Sequence, residues 1–334
     1  MTEKYTRPLF LTADARATLD PLIDAYAFKP YRNYRAIPRK KQNDVLRAEV
    51  HASLDADGGF AVVSAPDNPQ AAAIVRPLPW DSGFFGLPMA KLSHVLRAED
   101  DVADAAATRA AVQSVIALAL QQCRERGIKH VAVRIDAADA DAIQLLEDAG
   151  FRMVDALATY IYHHKREPPP PLKEMGVLRL FRPEDTEQII AITREAYKGF
   201  QGRYHLDPHL DTARADEVYI EWARKCCAFE WAEVVMVNEN GKGELHGWAS
   251  YRHIEPVSTV GGLPIQGGGL GACRRETPGA YAGIVRFAAV MIHEGGGVTE
   301  CQTQLFNFAT IRVYEAIGTQ FVRADYTLHA WLGE

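Results

Sequence analysis

The sequence predicts a mixed α/β fold (an α+β mixed sheet) in two tandem units, each with helices on both faces of its sheet. Three observations predict it. Helical and strand patterns alternate along the 334 residues, the order of elements in the first half recurs in the second, and four consecutive prolines interrupt the chain near its middle, at 168–171. Because a polyproline run cannot continue a helix or a central strand, we expect domains at 1–167 and 172–334 joined by a short semi-rigid linker.

The composition excludes several classes of protein. Hydrophobic residues make up 48% and charged residues 24% of the chain, as in ordinary folded domains. The net charge of −6, without a dense basic block, argues against binding to nucleic acid. No apolar stretch approaches the ~20 residues that a bilayer requires, and the polar start has no signal-peptide pattern, so we expect a cytoplasmic chain. The five cysteines form no Cys-x-x-Cys pair, which predicts reduced thiols and no metal site.

The elements of the first half follow from apolar periodicity and glycine punctuation. The pattern predicts a helix over 103–126, a strand over 128–135, a helix over 139–149 that Gly150 ends, and a strand over 151–163. The first seventy residues have no counterpart that the pattern identifies. We interpret them as a helical extension of the first domain.

The second half starts with a strand over 177–181, a helix over 183–197 and a helix over 212–226. Strands over 233–237 and 245–253 follow, joined by a turn at Asn240-Gly241. A helix over 280–294, a strand over 298–304, a helix over 307–317 that Gly318 ends and a strand over 320–331 then repeat the order of the first half.

A constant offset of 168 residues relates the two halves. Five identities keep this register through helix, turn and strand: Gly127 with Gly295, Ile143 with Ile311, Glu147 with Glu315, Gly150 with Gly318, and Thr159 with Thr327. The register indicates an internal duplication. The alternative is two α/β units that share only their punctuation.

One strand-to-helix junction in the second half carries residues suited to chemistry. Asn307 is placed to cap the helix or to bond a ligand amide, and Tyr314 follows two turns later on the same face. A phenol with a pKa near 10 can protonate a leaving thiolate of similar basicity. The alternative is that Tyr314 is an ordinary core tyrosine.

This junction resembles the last block of the Gcn5-related N-acetyltransferase superfamily, an Asn-x-x-Ala-x-x-x-Tyr helix that ends in Gly. The pattern appears as Asn307, Ala309, Tyr314 and Gly318, with Ala309 one position from its usual place. More narrowly, the chain resembles the dTDP-fucosamine (dTDP-4-amino-4,6-dideoxygalactose) N-acetyltransferases. That likeness lies in residues 77–86, 142–155, 202–222 and 303–331.

The resemblance implies that the first domain is a degenerate copy of a catalytic second domain. Leu146 stands at the position equivalent to Tyr314, and Asp139 at that of Asn307. It also implies Tyr314 and Asn307 as catalytic residues and acetyl-CoA as acyl donor, with the pyrophosphate at a helix N-terminus. There Pro278 replaces a glycine of the family pattern and removes one N–H. The implied cofactor-binding residues are Gly271, Ala272, Cys273, Arg275, Gly279, Ala280, Tyr281, Ala282, Gly283 and Asn307.

The family places its acceptor near a loop that here contains Tyr204, His205, Asp207 and, further on, Tyr219. A solvated surface loop is the alternative, whereas a metal site is disfavoured because Pro208 breaks the helical spacing. The implied function is acetylation of a primary amine on a small molecule, preferably a nucleotide-linked amino sugar. The alternative is a non-catalytic protein that binds acyl-CoA or a sugar nucleotide. We expect a small-molecule amine as partner and no nucleic acid or membrane, and the sequence leaves the oligomeric state open, a homodimer included.

Overall fold

The computed structural model describes residues 9–11, 13–65, 68–98, 105–172, 176–277 and 279–333. The chain forms two compact units, of which the first comprises Met1–Ala156 with Ala324–Glu334 and the second comprises Leu157–Arg323. Both combine a mixed sheet with helices, which confirms the mixed α/β class. Among the helices of the described ranges, none is long and apolar enough to cross a membrane.

The described part of the first unit has five complete strands, the start of a sixth, and one strand from the C-terminal end of the chain. Its elements are β1 (Leu9–Leu11), a 3-10 helix (Ala13–Leu19), α1 (Asp20–Ala25), α2 (Arg39–Asp55), β2 (Phe60–Val63), β3 (Ala71–Pro77), α3 (Pro79–Phe85), β4 (Met89–Arg97), α4 (Ala105–Glu125), β5 (His130–Asp136), α5 (Ala140–Asp148) and the start of β6 (Arg152–His163). Strands β1 to β4 pair antiparallel in chain order, and β5 pairs parallel to β4. The end of β12 (Gln320–Trp331) lies antiparallel to β5, with Trp331 opposite His130.

The helices near the N-terminus belong to the core of the first unit and are not an extension of it. Leu22 of α1 and Leu46 of α2 are buried against Ala61 of β2 and Ile74 of β3. Helix α4 covers the other face of the same sheet, where its apolar stripe joins a second cluster. The predicted helix over 103–126 is therefore present as α4, although residues 103 and 104 lie outside the described part of the chain.

The second unit repeats this arrangement. Its elements are β7 (Val177–Leu180), a 3-10 helix (Pro183–Asp185), α6 (Thr186–Tyr197), α7 (Thr212–Cys227), β8 (Val234–Glu239), β9 (Leu245–His253), α8 (Val257–Gly261), β10 (Ile265–Cys273), α9 (Gly279–Glu294), β11 (Val298–Gln304), α10 (Phe308–Ile317) and the start of β12. Strands β7 to β10 pair antiparallel in chain order, β11 pairs parallel to β10, and the end of β6 completes the sheet antiparallel to β11.

The succession of elements is the same in both units, and the 168-residue offset holds at the level of single residues. Asp139 and Asn307 cap α5 and α10 with nearly identical backbone angles, φ −86° and ψ 65° against φ −82° and ψ 66°. Each side chain accepts a hydrogen bond from the N–H three residues on. The glycines that follow the two helices, Gly150 and Gly318, both have positive φ. These matches support a duplication.

The last strand of each repeat pairs inside the other unit. The end of β6 therefore belongs to the second unit and the end of β12 to the first. The polyproline segment, predicted as the linker, falls within the second unit, where the guanidinium of Arg286 in α9 donates to the carbonyls of Pro169 and Pro170. Strand pairing, which has no signature in the local sequence, moves the division to residues 156/157 and 323/324.

Candidate functional site

Strands β10 and β11 stop pairing partway along their length. They pair only from Ile265 opposite Val298 to Gly267 opposite Glu300, yet β10 continues to Cys273 and β11 to Gln304. The carboxyl ends of the two strands therefore share no ladder, and each leads into a helix at the same edge of the sheet. A crevice outside the carboxyl ends of parallel strands is a common place for a ligand.

The backbone of β10 turns polar groups toward this crevice. Arg274 donates its N–H to the His246 carbonyl of β9, at 2.8 Å. Because successive residues of a strand direct their N–H and C=O groups to opposite edges, Gly271 and Cys273 direct theirs away from β9. Gly271 also lies against Tyr281, since a Cβ atom there would stand 3.0 Å from the ring carbon Cε2. A side chain at this position would crowd the ring of Tyr281.

Tyr314 of α10 has its hydroxyl at the part of β11 that no longer pairs with β10. Its hydroxyl donates to the Gln302 carbonyl of β11 at 3.2 Å and lies 3.4 Å from the hydroxyl of Tyr281. The side chain is only 2% exposed and belongs to a cluster that includes Cys301. Burial, and then the neighbouring Tyr281, raise the pKa of Tyr314 well above its usual value of 10, so the phenol is neutral at physiological pH.

Asn307 has both ends of its amide engaged within the loop before α10. Its Oδ1 accepts from the Thr310 N–H at 3.3 Å, and its Nδ2 donates to the Thr303 hydroxyl at 3.0 Å. The side chain thus acts as the N-cap that the sequence predicts, and it fixes where α10 starts.

The predicted pyrophosphate segment lies at the start of α9. The helix begins at Gly279, and the Ala280 N–H donates to the Thr277 carbonyl at 3.0 Å, while Pro278 lies outside the described residues. Arg275 is exposed, and a Cβ atom at Gly283 would meet nothing nearer than 3.8 Å. The remaining predicted residues are half-buried or buried around the same helix start: Ala272, Cys273, Tyr281 and Ala282.

The side chain of Cys273 contacts the first turn of α9. Its thiol accepts a hydrogen bond from the Tyr281 N–H, and burial raises the pKa of the thiol, which is therefore protonated at neutral pH.

Two of the predicted acceptor residues form an aromatic stack that leads to β10. The ring of Tyr219 lies 4.3 Å from the ring of Tyr197 and 5.9 Å from that of His205, both nearly parallel to it. The imidazole Nε2 of His205 lies 2.8 Å from Asp216. The hydroxyl of Tyr197 donates to the Gly271 carbonyl at 2.9 Å. The sequence offers no local signal for Tyr197, because its partner lies 74 residues further along the chain.

The other two predicted residues lie in the loop between α6 and α7. Tyr204 is 5% exposed and Asp207 is 2% exposed, and the carboxylate of Asp207 accepts from the His209 N–H at 3.0 Å. Both side chains are buried, in contrast to the solvated loop that was the alternative.

The first unit has the same strand geometry but different side chains. Strands β4 and β5 pair only as far as Leu92 opposite Val133. The place of Asn307 is taken by Asp139, which is fully buried in an ion pair with Arg97. Leu146 stands where the second unit has Tyr314 and is also fully buried. This unit therefore has no phenol at the equivalent position.

A scan of protein-family models finds no match to the chain. A curated relative, the spore coat polysaccharide biosynthesis protein SpsD of Bacillus subtilis (strain 168), is 28% identical over 167 residues, which are 49% of this chain and 53% of the relative. The chain thus matches about half the length of that relative.

Solved structures extend the likeness to the whole chain. A GCN5-related N-acetyltransferase from Sphaerobacter thermophilus has a TM-score of 0.60 at 16% identity, covering 98% of this chain and 96% of its own. A tandem GNAT protein from the clavulanic acid biosynthesis pathway has a TM-score of 0.55 at 15% identity, covering 98% and 99%. The chain therefore has the tandem fold of the GCN5-related N-acetyltransferases, as its sequence predicts.

Proposed function

We propose that the second unit transfers an acyl group, preferentially acetyl, from acyl-CoA to a primary amine of a small molecule. The acceptor that we favour is a nucleotide-linked amino sugar. The observation that carries the proposal is that Tyr281 contacts both Tyr314 and Gly271. Tyr314 offers a buried neutral phenol, and Gly271 offers a backbone N–H that points into the crevice.

The proposed chemistry needs one hydrogen-bond donor at each end of the thioester. When the neutral amine attacks the carbonyl carbon, negative charge develops on the carbonyl oxygen, and the Gly271 N–H is placed to receive it. As the C–S bond breaks, the phenol of Tyr314 gives its proton to the CoA sulfur, and the surplus proton of the amine passes to water. Holding both reactants in one crevice lowers the barrier further.

The start of α9 suits the phosphates of the donor. The helix dipole favours anions at such a position, and Arg275 adds an exposed positive charge beside it. The small residues Gly279, Ala280, Ala282 and Gly283 leave the backbone open to close approach. We therefore expect CoA to lie in the second unit, with its pantetheine arm along the part of β10 that does not pair with β11.

The aromatic stack beside β10 and the likeness to SpsD both bear on the acceptor. His205, in the loop between α6 and α7, is linked to the Gly271 carbonyl through the stacked rings of Tyr219 and Tyr197. The name of the relative SpsD refers to polysaccharide biosynthesis. An amino sugar carried on a nucleotide agrees with both.

A ligand titration followed by a turnover assay tests the proposal. In a thermal-shift series with CoA and acetyl-CoA, a ligand at 100 times its Kd stabilises the folded protein by about 2.7 kcal/mol. Thiol release is then measured with dTDP-linked amino sugars, free amino sugars, polyamines and peptides. We expect stabilisation by both CoA forms and release only with the nucleotide-linked amines. Stabilisation without release on any amine would favour the non-catalytic binder, and no stabilisation would reject the proposal.

A further inference from the structure

Ser250 of β9 lies inside a bulge that separates β9 from β10. The register passes from Gly268 opposite Tyr251 directly to Gly271 opposite Ala249, so two residues of β10 face Ser250 alone. The side chain is 1% exposed. Its hydroxyl donates to the Leu270 carbonyl at 3.0 Å and accepts from the Leu270 N–H, also at 3.0 Å. The hydroxyl thus replaces the backbone partner that the bulge removes.

Two neighbours keep this hydroxyl in place. The thiol of Cys226 in α7 donates to the Ser250 oxygen at 3.5 Å, and burial raises the pKa of that thiol, so its proton is present at neutral pH. On the other side stands Gly269, where a Cβ atom would lie only 2.7 Å from the same oxygen. The serine hydroxyl fits because Gly269 has no side chain.

The orientation of one peptide group follows from these bonds. In a trans peptide, the C=O of one residue and the N–H of the next point in opposite directions. Because Ser250 holds the Leu270 carbonyl toward β9, the Gly271 N–H must point away from β9, into the crevice between β10 and β11. The Tyr197 hydroxyl donates to the Gly271 carbonyl and so holds the next peptide group, on the side of β10 away from β9.

We propose that Ser250 is a positioning residue for acyl transfer, which fixes the Gly271 N–H in the direction that polarises the thioester carbonyl. The inference rests on the proposed function and adds to it the side chain that sets the geometry of the oxyanion donor. The first unit agrees with this role. Its β3–β4 pairing has a bulge at the corresponding place, but the residues of β3 at that bulge are Ile74 and Val75, which carry no hydroxyl.

The test compares Ser250→Ala with Ser258→Ala. Ser258 is a matched control, because its hydroxyl also bonds backbone carbonyls, those of Ile254 at 2.7 Å and Ile265 at 3.3 Å, and accepts from the Ile265 N–H of β10 at 3.1 Å. Ile265 lies at the paired end of β10, away from the crevice. We expect similar losses of thermal stability, but a fall in kcat of about 10–100-fold for Ser250→Ala alone, with the KM for acetyl-CoA little changed. Equal kcat per folded molecule in the two variants would overturn the role.

A second measurement does not depend on the acceptor. The carbonyl stretch of acetyl-CoA labelled with ¹³C at the carbonyl is recorded by infrared difference spectroscopy while the donor is bound. Relative to the same labelled acetyl-CoA free in solution, we expect the band to shift to lower wavenumber in the wild type and in Ser258→Ala. In Ser250→Ala we expect this shift to be lost. An unshifted band in the wild type would refute polarisation by Gly271, even if acyl transfer occurs. Failure of acetyl-CoA to bind would instead remove the proposed function, and this inference with it.

Discussion

At the scale of one residue, Tyr314 combines a buried ring with a hydroxyl at the edge of the crevice. Its ring is part of the core, with the ring of Tyr160 5.5 Å away, whereas its hydroxyl lies beneath the gap between β10 and β11. A core tyrosine and an acid catalyst are therefore compatible descriptions of the same side chain. They differ in what the hydroxyl contributes.

Replacing Tyr314 with Phe separates the two descriptions. The ring stays packed, and the hydroxyl's bonds to the Gln302 carbonyl and to the Tyr281 hydroxyl are lost, so the free energy of unfolding should fall by about 1–2 kcal/mol. General acid catalysis contributes typically about 10²–10⁴-fold, and we expect kcat with acetyl-CoA to fall within that range. Tyr160→Phe is the control, because it removes a hydroxyl from the same cluster. Full activity in folded Tyr314→Phe would contradict the catalytic role.

The raised pKa of Tyr314 makes a second prediction, on pH. Since the folded-state pKa lies well above 10, the phenol keeps its proton across the neutral and mildly alkaline range. A plot of kcat against pH should therefore rise as the amine acceptor loses its proton and then stay level, with no descending limb below about pH 10. A fall in kcat between about pH 8 and 9, in protein that remains folded by circular dichroism, would show that a different acid is at work.

The same shift has a consequence for stability. A tyrosine whose pKa is raised on folding contributes stability that is present below its unfolded pKa of about 10, and this contribution is lost as the pH rises through the folded-state value. Tyr197, Tyr251 and Tyr281 have pKa values raised in the same direction by burial. The free energy of unfolding, measured in urea, should therefore fall as the pH rises above about 10.

At the scale of elements, the caps of α5 and α10 can be compared directly, because the same loop carries Asp139 in one and Asn307 in the other. Asn307→Ala removes the acceptor for the Thr310 N–H and should cost about 1 kcal/mol. Asn307→Asp keeps that acceptor and should change stability much less. Urea unfolding measures both. Equal losses in the two variants would mean that the Nδ2 bond to Thr303 matters more than the cap.

The sequence predicts elements best where glycine and periodicity agree. The helices α5 and α10 are found within about a residue, since a polar cap starts each one and a glycine follows each one. Strands β2 and β3 are missed because the buried runs at Phe60–Val63 and Ala71–Pro77 show no alternation of polar and apolar residues. Likewise Tyr314 and Asn307 lie in one short motif, whereas Ser250 acts on a residue 20 positions away and belongs to no motif.

At the scale of the whole molecule, the exchange of terminal strands makes the first unit depend on the C-terminal end of the chain. Leu328, Ala330 and Leu332 are buried in the core cluster of the first unit, together with Val131 and Val133 of β5. This dependence could not be inferred from the polyproline run, because a linker is a local feature and a strand pairing is not.

Deletion of residues 324–334 tests the exchange. Without them, β5 loses its antiparallel partner and the core of the first unit loses three buried side chains. We expect the amides of β5 to lose their protection against hydrogen exchange, while the amides of β8 and β9 keep theirs. Removal of Gly333 and Glu334 alone is the control and should leave both regions protected. Retained protection of β5 in the longer deletion would show that the first unit is complete without β12.

The position of these residues also matters while the chain is being synthesised. Strand β5 ends at Asp136, and its partner in β12 begins at Asp325. At translation speeds of about 5–20 residues per second, roughly 10–40 s separate their synthesis. Throughout that interval one edge of β5 offers unpaired N–H and C=O groups to any extended chain nearby, including the freshly made β6. A chain that stops before residue 324 would therefore keep this edge of β5 unpaired.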